Sequence, residues 1–219
     1  MTLLRSVDHV PRIGVADLQA RLLDYAGHVD ELRSPEDVLN ELHAVTTRSL
    51  PLRVLGALRL PIKSGDWESI QLGKSIFLHQ DVPDGWWEEH ETVAPGKFRP
   101  LLFLGGSSMA SHTWTETRRM MQPIGIDNST YELALKYRMR DGLTCPVGGR
   151  WLIAFWSGKE LSNVPTQPIR ILLFAAASFA ALRLEQLIDL DSKRFGPRVQ
   201  LTPPGTCRPA IGVYRRASV

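Results

Sequence analysis

Histidine, aspartate and tryptophan carry most of the chemistry this chain could offer. His79, Asp81 and His90 fall close together, and imidazole with carboxylate is a combination that binds metals or relays protons. The spacing fits neither use. The six histidines (His9, His28, His43, His79, His90, His112) form no zinc pattern, so the triple reads as a surface cluster. Residues 105–108, GGSS, lack the GxSxG turn that exposes a nucleophilic serine, and neither GxGxxG nor GKS/T occurs. Cys145 and Cys207 are the only cysteines and make no CxxC, which leaves neither a disulfide framework nor a structural metal and suits a reducing cytoplasm. The chain is therefore read as a non-enzyme with no metal or cofactor.

What remains is aromatic and apolar, and a folded core has to position it. The 219 residues are 43% hydrophobic and 22% charged, an ordinary globular composition with enough material for a core. Hydrophobic spacing predicts a helix over 15–32 and a second from Ser34, whose hydroxyl can cap the free N–H groups ahead of Pro35, to Ser49. The period then changes to two, giving strands over 53–61 and 72–82 joined by a turn near 63–66. PDGWWEEH opens a short helix, and 98–109 forms another weakened by Gly105 and Gly106. Asp127 caps a helix to Met139, with Tyr131, Leu135 and Met139 along one face. Strands over 143–147 and 151–156 are turned by Gly148 and Gly149, and a long helix over 168–188 is apolar nearly all round from 171 to 182. That run is too short to span a bilayer and is bracketed by Arg170 and Arg183. The N-terminus has no signal-peptide core. The six tryptophans, Trp151 and Trp156 among them, are expected mainly in the core. Strand pairs separated by helices predict an α+β domain, an α/β/α sandwich with a mostly antiparallel central sheet of the PAS or GAF kind.

Trp86 in PDGWW, then Pro100, Trp114 and the segment ALKYRMRDGLTCP over 134–146 together resemble the autoinducer-binding domain of LuxR-type quorum-sensing transcription regulators. That family carries Trp, Tyr four residues on, Asp-Pro, Trp and Gly at near-fixed spacing. Here the spacing falls on Trp86, His90, Arg99, Pro100, Trp114 and Gly142. DGLTCP, ending at Pro146, is close to the family's form, with Arg138 standing where Gly is usual. The resemblance implies a sensing domain over 1–190 for an acyl-homoserine lactone or an altered analogue. By that carry-over Trp86 donates its indole N–H to the lactone carbonyl, Trp114 walls the pocket, and Pro100, Gly142 and Pro146 are structural. It also implies a dimer, with itself or with a full-length relative, and neither specific DNA binding by this chain nor a membrane.

The departures fall on the polar half of the motif. Arg99 replaces the Asp that accepts from the ligand's amide N–H, and a guanidinium only donates. Losing that acceptor costs about 1–3 kcal/mol, roughly ten- to a hundredfold in affinity. His90 in place of Tyr keeps a donor. The expectation is a pocket that takes no ordinary acyl-homoserine lactone. Either Arg99 offers its fork to a different, anionic ligand, or it points to solvent and the pocket binds nothing.

Residues 191–219 read as a linker and a disordered basic tail, since Lys193, Arg194, Arg198, Arg208, Arg215 and Arg216 are met by no acid beyond Ser192. The family's helix-turn-helix usually opens LTPRE, whereas Leu201 begins LTP and continues PGTCRPA. One codon choice for that heptapeptide, with a single base dropped, reads RELAVLR. The tail is therefore expected to be out-of-frame text standing in place of a DNA-binding domain, with a genuine divergent tail as the alternative.

Overall fold

The computed structural model describes residues 15–60, 76–93, 110–124, 129–161 and 167–195. Helix α1 (Val15–His28) buries Leu18, Leu22 and Tyr25, the apolar stripe its spacing requires. The single helix expected to Leu32 ends earlier and tightens into a 3-10 turn, Val29–Glu31, whose following carbonyl, Leu32 O, takes two hydrogen bonds from Arg183 (2.9 and 2.6 Å). Helix α2 (Pro35–Ser49) starts as expected, the Asp37 N–H donating to Ser34 Oγ at 3.0 Å, which satisfies one of the free donors of the first turn.

Five strands follow in chain order: β1 (Leu52–Arg59), β2 (Ile76–Gln80), β3 (His112–Thr113), β4 (Asp141–Val147) and β5 (Trp151–Ser157). They form one sheet in the order β2-β1-β5-β4-β3, antiparallel at every pairing. Gly148 and Gly149 turn β4 into β5 with φ of +58° and +64°, the left-handed pair that a tight hairpin needs and that glycine adopts without strain. The expected turn near 63–66, the expected helix over 98–109, the Asp127 cap and residues 196–219 lie outside the described residues.

Helices cover both faces of the sheet, the sandwich anticipated from the element order. Between the strands lie α3 (Trp86–Val93), α4 (Trp114–Met121) and α5 (Ser129–Lys136), and α6 (Gln167–Phe195) follows the sheet. The α1–α2–α6 layer packs on Leu55, Ala57, Leu143, Cys145, Trp151, Ile153 and Phe155. The α3–α4–α5 layer packs on Val54 and Trp156. Strict alternation explains the split, because successive strand residues point to opposite faces. A bulge between Leu52 and Val54 resets the parity at the start of β1.

Two expectations about helices need correction. Tyr131, Leu135 and Met139 do not share one face: α5 ends at Lys136, Leu135 is exposed, and Met139 lies beyond the helix. Arg138, at φ +59°, reverses the chain there, with Met139 N–H donating to Ala134 O and Arg138 N–H to Leu135 O. This is the Schellman arrangement, which folds Met139 back onto Ala134 and normally takes Gly at the reversing position. The second correction concerns α6. Over Gln167–Asp189 it is long and apolar enough to cross a membrane by composition, more so than the run from 171 to 182 suggested. Its Leu173, Ala176, Ala177, Ala180, Ala181 and Leu184 are nevertheless buried in the core, while Ile171, Phe179 and Leu182 are exposed.

Candidate functional site

The aromatic residues singled out by the resemblance converge on the α3–α4–α5 face. Trp86 begins α3, set by a tight turn in which Gly85 has φ +78° and lies against the Tyr137 hydroxyl. Four residues on, His90 occupies the same helical face and packs on the Trp86 ring at 5.4 Å, while Tyr137 meets Trp86 edge-on at 5.5 Å. Burial holds the His90 imidazole down to about 4, so at neutral pH it is uncharged. Tyr137 is itself fixed from outside, its hydroxyl donating to Glu89 Oε2 at 2.9 Å. Hydrogen bonds from Lys136 and Tyr137 hold the Glu89 carboxyl below the usual carboxylate range.

Trp114 is seated by a more elaborate set of contacts. Thr113 Oγ1 accepts from Glu116 N–H at 3.1 Å, and Glu116 Oε2 accepts from Thr113 N–H at 2.9 Å. This capping box starts α4 at Trp114. Arg170 of α6 donates to Glu116 at 2.8 Å. Burial raises the Glu116 carboxyl, but the Thr113 and Arg170 hydrogen bonds outweigh it and leave a net lowering. Asp141, fully buried at the start of β4, accepts four hydrogen bonds: from Thr115 N–H and Oγ1 (3.3 and 3.1 Å), Gly142 N–H (2.8 Å) and Leu161 N–H (3.0 Å). Gly142 is dictated by packing: a Cβ there would sit 2.7 Å from Phe155 O and 2.9 Å from the Trp114 indole. The indole therefore lies directly on the backbone of β4.

Around Trp114 the face carries further polar aromatics. Tyr131 meets it edge-on at 5.8 Å and Trp156 at 6.0 Å, with the Arg118 guanidinium 5.1 Å over the Tyr131 ring. Burial pushes the Tyr131 hydroxyl up to about 12. Trp114 Nε1, Trp156 Nε1, Tyr131 Oη and Thr144 Oγ1 are buried, and among the described residues they have no hydrogen-bond partner.

Of the residues expected at the site, Trp86, His90, Trp114 and Gly142 are brought to one face, whereas Arg99 and Pro100 lie outside the described residues. Pro146 pairs with Leu152 in β4 beyond the two residues that β3 covers, an edge position that tolerates a missing N–H. The triple of His79, Asp81 and His90 is not the surface cluster expected: His90 is buried, and Asp81 faces His43 at 3.5 Å. Spacing alone missed Tyr131, Asp141, Thr144 and Trp156 as site residues. TWTE over 113–116 was a readable capping box that would have found β3 and α4; Asp141 and Thr144 lie within the DGLTCP segment, and Tyr131 and Trp156 carry no local signal.

No family model and no curated protein matches the chain. Among solved structures it is similar to Escherichia coli SdiA, with 16% identity and a TM-score of 0.55 over 79% of this chain and 70% of that one. A second SdiA structure, in complex with octanoyl-rac-glycerol, matches at 16% identity and a TM-score of 0.53 over 83% of this chain and 69% of that one. SdiA is a LuxR-type quorum-sensing regulator, so the fold is the one that the residues from Trp86 to Pro146 implied.

Proposed function

We propose that this chain is a LuxR-type small-molecule-sensing domain, spanning residues 1–190, whose ligand lies on the α3–α4–α5 face of the sheet. The observation that carries it is the gathering of Trp86 and His90 of α3, Trp114 of α4 and Gly142 of β4 on that face, within a fold similar to that of SdiA. The SdiA complex with octanoyl-rac-glycerol supports a ligand with an apolar chain. Arg99, a donor where the family offers an acceptor, argues against an ordinary acyl-homoserine lactone. Calorimetry with a series of such lactones tests this. The natural protein is expected to bind none at micromolar concentration and Arg99→Asp to gain at least tenfold. Micromolar binding by the natural protein, unimproved by Arg99→Asp, would overturn the altered-ligand reading.

A second reading, as an interaction protein, is favoured by α6, which exposes Ile171, Phe179 and Leu182 along one side. Apolar surface of this kind marks contact with another chain. The partner is a second copy or an intact relative, which the pairing would hold inactive. Leu182→Glu is expected to abolish dimerisation in analytical ultracentrifugation and to restore reporter output in cells that also express a full-length relative. Unchanged reporter output on co-expression of the natural chain counts against it.

A further inference from the structure

One end of the sheet carries a cluster of cations that have no carboxylate. Arg53 sits in the bulge of β1, Arg138 and Arg140 lie between α5 and β4, and Lys159 follows β5. All four are exposed, and all four converge on Ser157 and Gly158. Arg140 N–H donates to Ser157 O at 2.8 Å and Lys159 N–H to Ser157 Oγ at 3.1 Å. A Cβ on Gly158 would stand 3.4 Å from Arg138 O and 3.7 Å from Arg53 Nη1. Other arginines are paired. Arg59, at the far end of β1, meets Glu185 and Asp189, and Arg150 and Arg170 also meet carboxylates. Among the described residues none of the four cations around Gly158 does.

Arg138 is held there against its backbone preference. Its φ of +59° is the left-handed conformation that glycine adopts without strain. Its guanidinium makes no hydrogen bond or ion pair among the described residues, so glycine would serve the fold better. The end of α5 does not require the charge either, because Lys136 already places one in its last turn. Strain of this kind collects where a side chain acts on something outside the fold. The neighbouring acids are occupied or marginal. Asp141, next to Arg140, is buried and receives four hydrogen bonds, and Glu89 is held by Lys136 and Tyr137. Asp81 stands near the Arg53 backbone, since His43 Nε2 lies 2.7 Å from Arg53 O and 3.5 Å from Asp81 Oδ2. Exposed Glu160 follows Lys159.

We infer that this end of the sheet is a docking surface for a short acidic segment of another protein, whose carboxylates take charge-assisted hydrogen bonds from Arg53, Arg138, Arg140 and Lys159. Three of the four are arginines, whose planar forks match carboxylates two bonds at a time. Neighbouring strands lie about 4.8 Å apart, close to the spacing of about 5–6 Å between acidic residues at i and i+4 of a helix. A small free anion would need donors fixed in place, and the backbone N–H groups of Arg138, Arg140 and Lys159 are already used within the fold. A nucleic-acid strand would carry its phosphates past Asp81 and Glu160, where like charge repels it; a short acidic segment ends before them. The surface contains none of the residues assigned to the ligand or to the exposed side of α6, and it depends on neither reading.

The test is fluorescence anisotropy of the full chain with three labelled probes: an alanine-based helical peptide with glutamate at every fourth position, the same peptide with glutamine instead, and a single-stranded dodecanucleotide. The glutamate peptide is expected to bind roughly tenfold more tightly than either of the others, and its binding should weaken as salt is raised. Arg53→Gln and Arg140→Gln should each weaken it about two- to fivefold. Arg138→Gly should weaken it by a similar factor while the denaturation midpoint rises, because glycine relieves the left-handed position. A variant that folds more stably and yet binds less separates docking from folding. Equal binding of the two peptides or preference for the oligonucleotide overturns the inference. Binding unchanged in all three variants also overturns it and moves the contact to the basic residues beyond Ser192. Loss of binding in Arg138→Gly together with a fallen midpoint overturns it as well.

Discussion

The two faces of the sheet handle buried polarity differently. On the α1–α2–α6 side Glu185 accepts from Trp151 Nε1 and pairs with Arg59 and Arg150, and Arg183 satisfies Leu32 O. On the α3–α4–α5 side two indoles and two hydroxyls are buried unpaired around Trp114. Tyr25 Oη, Ser49 Oγ and Arg150 Nε also lack partners among the described residues, but they stand apart, on α1, on α2 and in the β4–β5 turn. A lone unsatisfied group is a tolerated cost of packing; four gathered on one sheet face mark a surface made for something other than stability. On the proposed sensing-domain reading, the α1–α2–α6 side holds the domain together and the α3–α4–α5 side gives up some stability for recognition.

The largest expected effect tests the first half of that contrast. Phe155→Ala, which empties a fully buried position on the helical side, should cost about 3–5 kcal/mol in urea denaturation. Trp156→Phe, one residue on and facing the other way, should cost less, because the cavity left by the smaller ring is partly offset by removal of an unpaired buried indole N–H. A loss below about 1 kcal/mol in Phe155→Ala would break the contrast.

Acid should act on the α3–α4–α5 side. His90 and His79, which faces the same side because Leu78 packs into the helical core, are both held down to about 4 by burial, against 6.5 in the unfolded chain. Between those values the unfolded state binds protons that the folded state refuses. Their contribution is therefore complete above about pH 6.5 and is lost as pH falls toward 4, by roughly 3 kcal/mol for His90. Thermal midpoints recorded from pH 7.5 to 4.5 should fall accordingly, and less so in His90→Phe. An equal fall in both proteins removes His90 from the account.

Gly142→Ala sharpens the comparison at the seat of Trp114. A methyl group has no room against Phe155 O and the indole, so a loss of about 1–3 kcal/mol with a shift in tryptophan emission is expected. Unchanged emission would mean that Trp114 does not rest on β4. The smallest effect is a gain: Arg138→Gly relieves the left-handed position after α5 and should stabilise by about 1 kcal/mol, read from the denaturation midpoint.

Much of the fold was legible in local pattern. The Ser34 cap, the Gly148–Gly149 turn and the antiparallel order follow from signals that act within a few residues, and the structure carries all three. The site was legible only in part. Trp86 and Trp114 were found through the resemblance to LuxR-type sensing domains, whereas Tyr131 and Trp156 look in sequence like ordinary helix and strand residues, and Asp141 and Thr144, though inside DGLTCP, were not singled out. Leu135 was misplaced because the helical period was carried past Lys136, where Arg138 turns the chain without the glycine that usually announces such a turn.

The sequence by itself determined most of the helical and extended segments, though not β3 and α4, and where several of them begin, because caps, turns and hydrophobic periods are local interactions. Only the tertiary structure decided that Trp151 and Trp156 serve opposite faces and that Gly56, Ala154 and Thr144 form one row. It alone showed that Asp141 is spent on the backbone around Trp114. Those facts depend on strand register, and register is set by pairings between residues as far apart as Gly56 and Ala154, which no local pattern encodes.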